Sequence, residues 1–199
     1  MSSAAGRRLI WVPIIHTAAD LGSLQGAVRK LHQERAGMAQ WQDRVKQVNQ
    51  LWRSIRTSLF QLELDWSGVF LYQDGLPVCG KEAQIVEDLA REGSPNHRLL
   101  LELMARGAQL LGTESPELLV QEYELNRQFL LNQSTHVRRP ESEIQSISRN
   151  LLDQRVAFIA RRIDEPLPLG QVGCLFLGLM YSLEGRLPED MAVTRLSGA

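Results

Sequence analysis

Cysteine is scarce in this sequence, and the two cysteines present suggest neither a disulfide framework nor a thiolate metal site. Cys79 and Cys174 lie far apart among 199 residues and show no CxxC spacing. Isolated thiols are typical of a reducing compartment, where cysteine behaves as a small apolar residue. Residues 1–8 are polar and precede only a brief apolar run, so they do not resemble a secretory signal. We therefore expect a cytoplasmic protein.

Long apolar runs and an excess of one charge are also missing. No segment approaches the run of about eighteen apolar residues that a membrane-spanning helix needs, so we expect a soluble protein with no membrane partner. Lys and Arg number 22 against 23 Asp and Glu, a net charge of -1. That balance gives no reason to expect a nucleic-acid partner. The 44% hydrophobic and 23% charged residues instead indicate an ordinary globular chain.

The hydrophobic pattern predicts a single α/β domain over residues 1–199, with residues 1–6 as a flexible tail. Because the predicted strands are separated by helical crossovers, we expect a mostly parallel sheet of four or five strands. The most hydrophobic segment, 172–180, is the expected central strand, and 191–196 the expected edge strand. Pro13 argues against a central position for the first strand, because proline cannot donate to a ladder. Strands are predicted at 9–15, 68–72, 108–111, 172–180 and 191–196, and helices at 81–92, 96–106, 116–132 and 142–163.

A long helical segment is predicted after the first strand, where apolar residues recur at three- or four-residue steps over residues 24–62. One straight helix of this length would measure about 58 Å, against about 42 Å for the diameter of a compact domain. We therefore expect a break near Ala36-Gly37 in preference to a projecting arm. The same segment, rich in basic residues, is where a homo-oligomer contact would form, although a solvated face is the simpler explanation of its charge.

Polar side chains follow three of the predicted strands. In open parallel sheets, ligands bind beyond the carboxyl ends of the strands, near a switch in strand order. His16 and Thr17 follow the first strand, Gln73 and Asp74 follow the second, and Tyr181 follows the central one. The sequence therefore predicts a polar pocket for a small-molecule ligand at this edge of the sheet.

Each candidate catalytic residue has a functional and a structural interpretation. His16 could act as a general base or a metal ligand, because its pKa lies near neutrality, or it could simply bond a backbone carbonyl. Asp74 could orient His16, or it could cap the Asp-Gly turn. Tyr181 could donate to an oxyanion or anchor a loop. Arg155, four residues before Ile159 on the apolar stripe of its helix, is placed to reach inward and stabilise negative charge.

Two further features allow a ligand site or a structural explanation. Gly22 and Ser23 begin the predicted helix after the first strand, so free N–H groups there could hold a phosphate. The glycine spacing of nucleotide-binding loops is absent, and a turn capped by Ser23 is the alternative. Four acidic residues are interpreted as stabilising a helix N-terminus: Glu114, Glu117, Glu122 and Glu124.

The two ends of the chain resemble the erythromycin-esterase-like and Tiki/TraB-like group. An arginine-bearing amphipathic helix, 155–163, precedes a strand that ends in Gly178-Leu179-Met180-Tyr181, and the first strand ends in Pro13-Ile14-Ile15-His16. The resemblance implies a pocket built by His16, Tyr181 and Arg155. Proline replaces the first glycine of the group's motifs, and Tyr181 replaces a histidine. Catalytic metal sites generally need three protein ligands, so this loss argues against metal-dependent hydrolysis, while a divalent metal stays open as a cofactor.

Three functional hypotheses follow from these observations. The first is an enzyme of hydrolase or transferase type that uses His16, Asp74, Arg155 and Tyr181. The second is a module that binds a small ligand or phosphate at the Gly22-Ser23 helix start, and the third is an oligomeric interaction protein. The chain is also similar to an uncharacterised bacterial protein family, from which no function carries over.

Overall fold

Five strands form one sheet in the computed structural model of the chain, which describes residues 6–15, 38–132, 141–179 and 181–196. Helices separate the strands along most of this length, as expected for an α/β fold. A short 3-10 helix, Trp66–Gly68, leads into the second strand. The elements in chain order are β1 Arg7–Ile14, α1 Met38–Phe60, β2 Val69–Gln73, α2 Glu82–Arg91, α3 Pro95–Ala105, β3 Gln109–Leu111, α4 Pro116–Asn132, α5 Glu141–Asp164, β4 Val172–Gly178 and β5 Met191–Arg195.

The strand order is β3-β2-β4-β1-β5, and every pairing is parallel. This confirms the predicted α/β fold with a parallel sheet. β4 lies at the centre, as its continuous hydrophobicity indicated, because a strand covered on both faces has no polar side to alternate with. β5 lies at one edge, as expected.

The two faces of the sheet pack against different helices. Side chains alternate along a strand, so Ile10, Val12 and Ile14 of β1 pack with α1, α2 and α3, whereas Leu9 packs with α5. α4 packs on α5. The chain leaves β2 through α2 and α3 toward β3, and it leaves β4 in the opposite direction toward β5. The adjacent carboxyl ends of β2 and β4 therefore form the switch point where such sheets bind ligands.

Pro13 is accommodated in β1 although this strand has a partner on each side. The backbone N–H of Arg7 donates toward β5, to Asp190 O, and that of Arg8 donates toward β4, to Gln171 O. Odd-numbered residues of β1 therefore point their N–H groups toward β5. The β5 pairing ends at Trp11, so the donor that Pro13 lacks would have pointed past the end of β5.

Gly173 in β4 allows close packing at the centre of the sheet. A Cβ at this position would lie 2.9 Å from Leu9 Cδ1 and 3.1 Å from Tyr72 Cε2. Leu9 and Tyr72 come from the neighbouring strands β1 and β2 and pack on the α5 face of the sheet. The glycine allows these two large side chains to meet over the sheet centre.

The described part of the predicted 24–62 segment is one continuous helix, α1. Ser23 and the break expected at Ala36-Gly37 lie outside the described residues, and oligomer contact through this segment stays a prediction. Elsewhere the predicted helix ends are confirmed: the Ser115 hydroxyl accepts from Leu118 N–H, and Gly107 follows α3 with a φ of 104°. None of the described helices combines the length and apolarity needed to cross a membrane.

Candidate functional site

Asp74 connects the carboxyl ends of β2 and β4. It follows β2 directly, and its backbone N–H donates to Phe176 O on β4 at 2.9 Å. Its side chain makes a second contact with β4, because Oδ2 accepts from Gly178 N–H at 3.2 Å. The carboxylate is 2% exposed. Asp74 is therefore held at the switch point by backbone groups of the central strand.

Glu114 brings a second carboxyl group to the same place from the end of β3. It bridges to Pro77, and its backbone carbonyl accepts from Val78 N–H at 2.9 Å. Its neighbour Thr113 accepts from the Gln73 N–H at 2.9 Å, which ties the end of β3 to the end of β2. The Glu114 side chain is fully buried, at 0% exposure.

Arg155 of α5 joins these carboxyl groups. Its Nε donates to Glu114 Oε2 at 3.0 Å, and its Nη2 donates to Glu114 Oε1 at 2.5 Å and to Asp74 Oδ1 at 3.3 Å. On the other side, Nη1 lies 2.6 Å from Glu122 Oε1 of α4. The arginine side chain is 4% exposed. One guanidinium thus faces three carboxyl groups, of which Asp74 and Glu114 are buried and Glu122 is 39% exposed.

The surroundings of Glu114 raise its pKa. Burial is the largest cause, because a carboxylate loses its hydration, and the negative charge of Asp74 adds to it. The hydrogen bonds and positive charge of Arg155 act in the opposite direction. The net result is a pKa of about 7. Glu114 therefore exchanges its proton near neutral pH, as a general acid or base must.

Tyr181 covers the cluster from the loop after β4. The Arg155 guanidinium carbon lies 5.2 Å from the centre of the Tyr181 ring, within the range of a cation–π contact. Burial raises the pKa of the Tyr181 phenol, and the nearby negative charge of Asp74 raises it further. The phenol therefore keeps its proton and can serve as a hydrogen-bond donor.

Gln73 leaves one buried acceptor without a partner at the same strand end. Its residue is 1% exposed, and its Nε2 donates to Asp74 O at 2.9 Å. That contact sets the orientation of the amide, since an oxygen there would meet another oxygen. Oε1 is buried and accepts no hydrogen bond from any residue in the described part of the chain. Such an acceptor is satisfied by an ordered water or by a ligand N–H or O–H.

The structure brings together four of the residues that the sequence predicts for the site: Gln73, Asp74, Arg155 and Tyr181. The other four lie outside the described residues: His16, Thr17, Gly22 and Ser23. β1 ends at Ile14, between β4 and β5 in the strand order.

Glu114 and Glu122 are site residues that the sequence analysis assigned elsewhere. The helix N-terminus interpretation suits Glu117, which lies in the first turn of α4 and accepts from the Ser115 hydroxyl at 2.6 Å. Glu114 precedes that helix and follows a predicted strand. Extending the strand-end argument from 68–72 to 108–111 would have placed Glu114 at the same edge as Asp74.

Metal ligation within the described part of the chain is limited. Those residues contain no group of three or more His, Cys, Asp and Glu side chains arranged to hold a metal ion. Three carboxyl groups do surround Arg155, but the guanidinium occupies the position between them. A divalent metal bound with the help of His16 stays a prediction.

No protein-family model, curated protein or solved structure matches the chain. The resemblance of the chain ends to the erythromycin-esterase-like and Tiki/TraB-like group is therefore not tested by these comparisons. The function of the protein is therefore inferred from the geometry of the site.

Proposed function

We propose that the protein is an enzyme of hydrolase or transferase type, with the Asp74–Glu114 carboxyl pair as its acid–base group. The observation that carries this proposal is a fully buried glutamate with a pKa of about 7 at the switch point of a parallel sheet. Perturbed carboxyl groups in such positions are characteristic of catalytic sites, because proton transfer is most efficient when the pKa matches the working pH.

The contacts assign different roles to the members of the cluster. Glu114 transfers the proton. Arg155 is a positioning residue, because its Nε, Nη1 and Nη2 contact protein carboxylates and are directed away from a substrate. Asp74 favours the protonated form of Glu114 by its charge. Stabilising negative charge on a substrate then falls to the Tyr181 O–H, as the sequence analysis also proposed for this residue.

Two further groups complete the proposal. The Gln73 Oε1 acceptor is placed to orient a substrate or water O–H beside Asp74. His16, which follows β1 in the sequence, remains the candidate second base or metal ligand. An ester is the first substrate class to test, with water as the nucleophile. Glu114 would take a proton as the water oxygen bonds to the carbonyl carbon, and Tyr181 would stabilise the oxyanion. The proton would then pass to the leaving alkoxide as the C–O bond breaks.

Hydrolysis of p-nitrophenyl butyrate between pH 5 and 9 tests the proposal. We expect turnover whose pH dependence has a midpoint near 7, and a loss of about a hundredfold or more in Glu114→Gln, the usual effect of removing an acid–base group. Glu117→Gln is the matched control, because Glu117 is exposed and lies three residues away on the same acidic stretch. Turnover that survives in Glu114→Gln would contradict the proposal.

A further inference from the structure

A cavity of about 400 Å³ lies over β1, β4 and β5 on the face of the sheet that carries α5. Its floor consists of Leu9 and Trp11 of β1 and of Leu175 and Leu177 of β4. The Trp11 indole is held in place because its Nε1 donates to Leu177 O at 3.2 Å. The floor is therefore a firm apolar surface.

The cavity exists because α5 covers only part of this face. Ile159 and Ile163 of α5 pack with Tyr72 of β2 and with the β4 leucines. In the described chain between β4 and β5, residues 181–190 form turns and extended segments in place of a helix. These residues form the wall of the cavity, and Val193 of β5 lies at its outer side with 47% exposure.

The cavity lining is mostly apolar. Its side chains are mainly Leu, Val, Met, Pro and Trp, and the polar ones are Tyr181, Ser182 and Glu184. Among the described residues, no Lys or Arg belongs to the lining. Arg195 lies nearby, but its guanidinium carbon is 5.5 Å from the centre of the Trp11 ring and it remains exposed. The cavity therefore suits an uncharged apolar group and offers an anion no buried cation.

Tyr181 connects this cavity to the carboxyl cluster. It is part of the cavity lining, and its ring also packs on the Arg155 guanidinium at 5.2 Å. A molecule held over Trp11 and Leu177 could therefore contact a side chain that also contacts Arg155. The apolar cavity and the carboxyl cluster thus share the Tyr181 side chain.

We infer that this cavity binds the uncharged, apolar part of the substrate and presents its polar end at Tyr181. That the bound molecule is a substrate rests on the proposed function, but ligand binding in the cavity can be tested without turnover. Volume and lining are those of small-molecule sites, which are mostly apolar with a few polar groups that orient the ligand.

Calorimetric titration with 1-naphthol tests the cavity, with 1-naphthyl phosphate as a probe of the same ring system bearing a dianion. We expect 1-naphthol to bind and the phosphate to bind about tenfold more weakly or not at all, a difference of about 1.4 kcal/mol or more. Val193→Trp should weaken 1-naphthol binding by about tenfold or more by filling the outer side of the cavity. Ala192→Trp is the matched control, since Ala192 is the exposed neighbour on the same strand with its side chain on the opposite face.

A second variant guards against a local folding effect at the edge strand. Leu187→Trp fills the cavity from the loop that forms its wall and should weaken 1-naphthol binding to a similar degree. Absence of 1-naphthol binding to the wild type, equal binding in the three tryptophan variants, or tighter binding of the phosphate would each overturn the inference.

The experiment also separates this inference from the proposed function. Glu114 is not part of the lining, so Glu114→Gln should bind 1-naphthol as the wild type does while losing turnover. Turnover without 1-naphthol binding would reject the cavity alone. Binding of 1-naphthol with a Glu114 that titrates at its ordinary value would support the cavity as a ligand site and reject the acid–base role.

Discussion

Arg7 and Arg155 each bind more than one carboxylate, at opposite edges of the same sheet. Arg7 begins β1 at the amino edge, where its Nε and Nη2 contact Asp190 at 2.8 and 2.9 Å and its Nη1 contacts Asp164 at 2.6 Å. Arg155 contacts Glu114 with a similar two-pronged geometry at the carboxyl edge. The hydrogen bonds alone would suggest two equivalent ion clusters.

Solvent access makes the two clusters opposite in behaviour. The side chains of Asp164 and Asp190 are 43% and 42% exposed, and the hydrogen bond from Arg7 lowers the pKa of Asp190. Glu114 is fully buried, and its pKa rises to about 7 despite two hydrogen bonds from Arg155. Pairing with arginine therefore does not determine protonation here; the loss of hydration does, aided by a second carboxylate.

Removal of each arginine should give the largest difference between the clusters. Arg155→Met leaves buried carboxyl groups without their cation, so we expect it to lower the free energy of unfolding by about 3–5 kcal/mol at pH 8. Arg7→Met should cost less, because water can solvate Asp164 and Asp190 instead. Urea denaturation of both variants measures the difference. Equal losses would show that the carboxyl-edge cluster is not buried as described.

The second-largest expected effect is the pH dependence of the free energy of unfolding. The folded-state pKa of Glu114 lies above its unfolded value, so the native state holds this proton to higher pH and loses stability as pH rises from about 4.5 to about 7. The loss amounts to about 3 kcal/mol, from 1.36 kcal/mol per pKa unit. Glu114→Gln should lack this loss in denaturation curves taken across that range.

Asp190→Asn is the control for this titration, because its effect should appear at the other end of the pH scale. The lowered pKa of Asp190 contributes stability above its ordinary value of 3.8, and that contribution is lost as pH falls through the folded-state pKa. If Glu114→Gln changed the free energy of unfolding at low pH, as Asp190→Asn is expected to do, the contrast between the two clusters would be wrong.

The smallest expected effect concerns the influence of Asp74 on Glu114. Asp74→Asn removes a negative charge next to Glu114 while keeping an oxygen that can accept from Gly178 N–H. The midpoint of the Glu114 titration should therefore fall below 7, although burial will hold it above the ordinary glutamate value. Carboxyl ¹³C chemical shifts followed against pH measure it. An unchanged midpoint would assign the whole perturbation to burial.

The sequence predicted the strands and four of the side chains around the site, but it did not predict the role of Glu114 at its centre. Apolar runs located all five strands, and the residues after two of them, Asp74 and Tyr181, do meet at one edge. Arg155 was located from its place on the apolar stripe of α5, since a residue four positions from buried Ile159 faces the same way.

The acidic pattern alone could not identify Glu114 as a site residue, because its burial depends on tertiary structure. β3 contributes only three residues, and the bridge between Pro77 and Glu114 joins segments far apart in the chain. The acidic pattern alone does not separate Glu114 from Glu117, which does stabilise a helix start; only the position of Glu114 after the predicted strand 108–111 does. The Arg7 cluster was missed for the same reason, since Asp164 and Asp190 meet it only when the parallel sheet has assembled.

Direct titration of Glu114 by NMR on protein labelled with ¹³C at glutamate side-chain carboxyls tests the central claim most directly. We expect one carboxyl resonance to titrate with a midpoint near 7, and to be missing from Glu114→Gln. If every glutamate carboxyl instead titrates near its ordinary pKa of about 4.3, the Asp74–Glu114 pair is not an acid–base group and the proposed function is wrong.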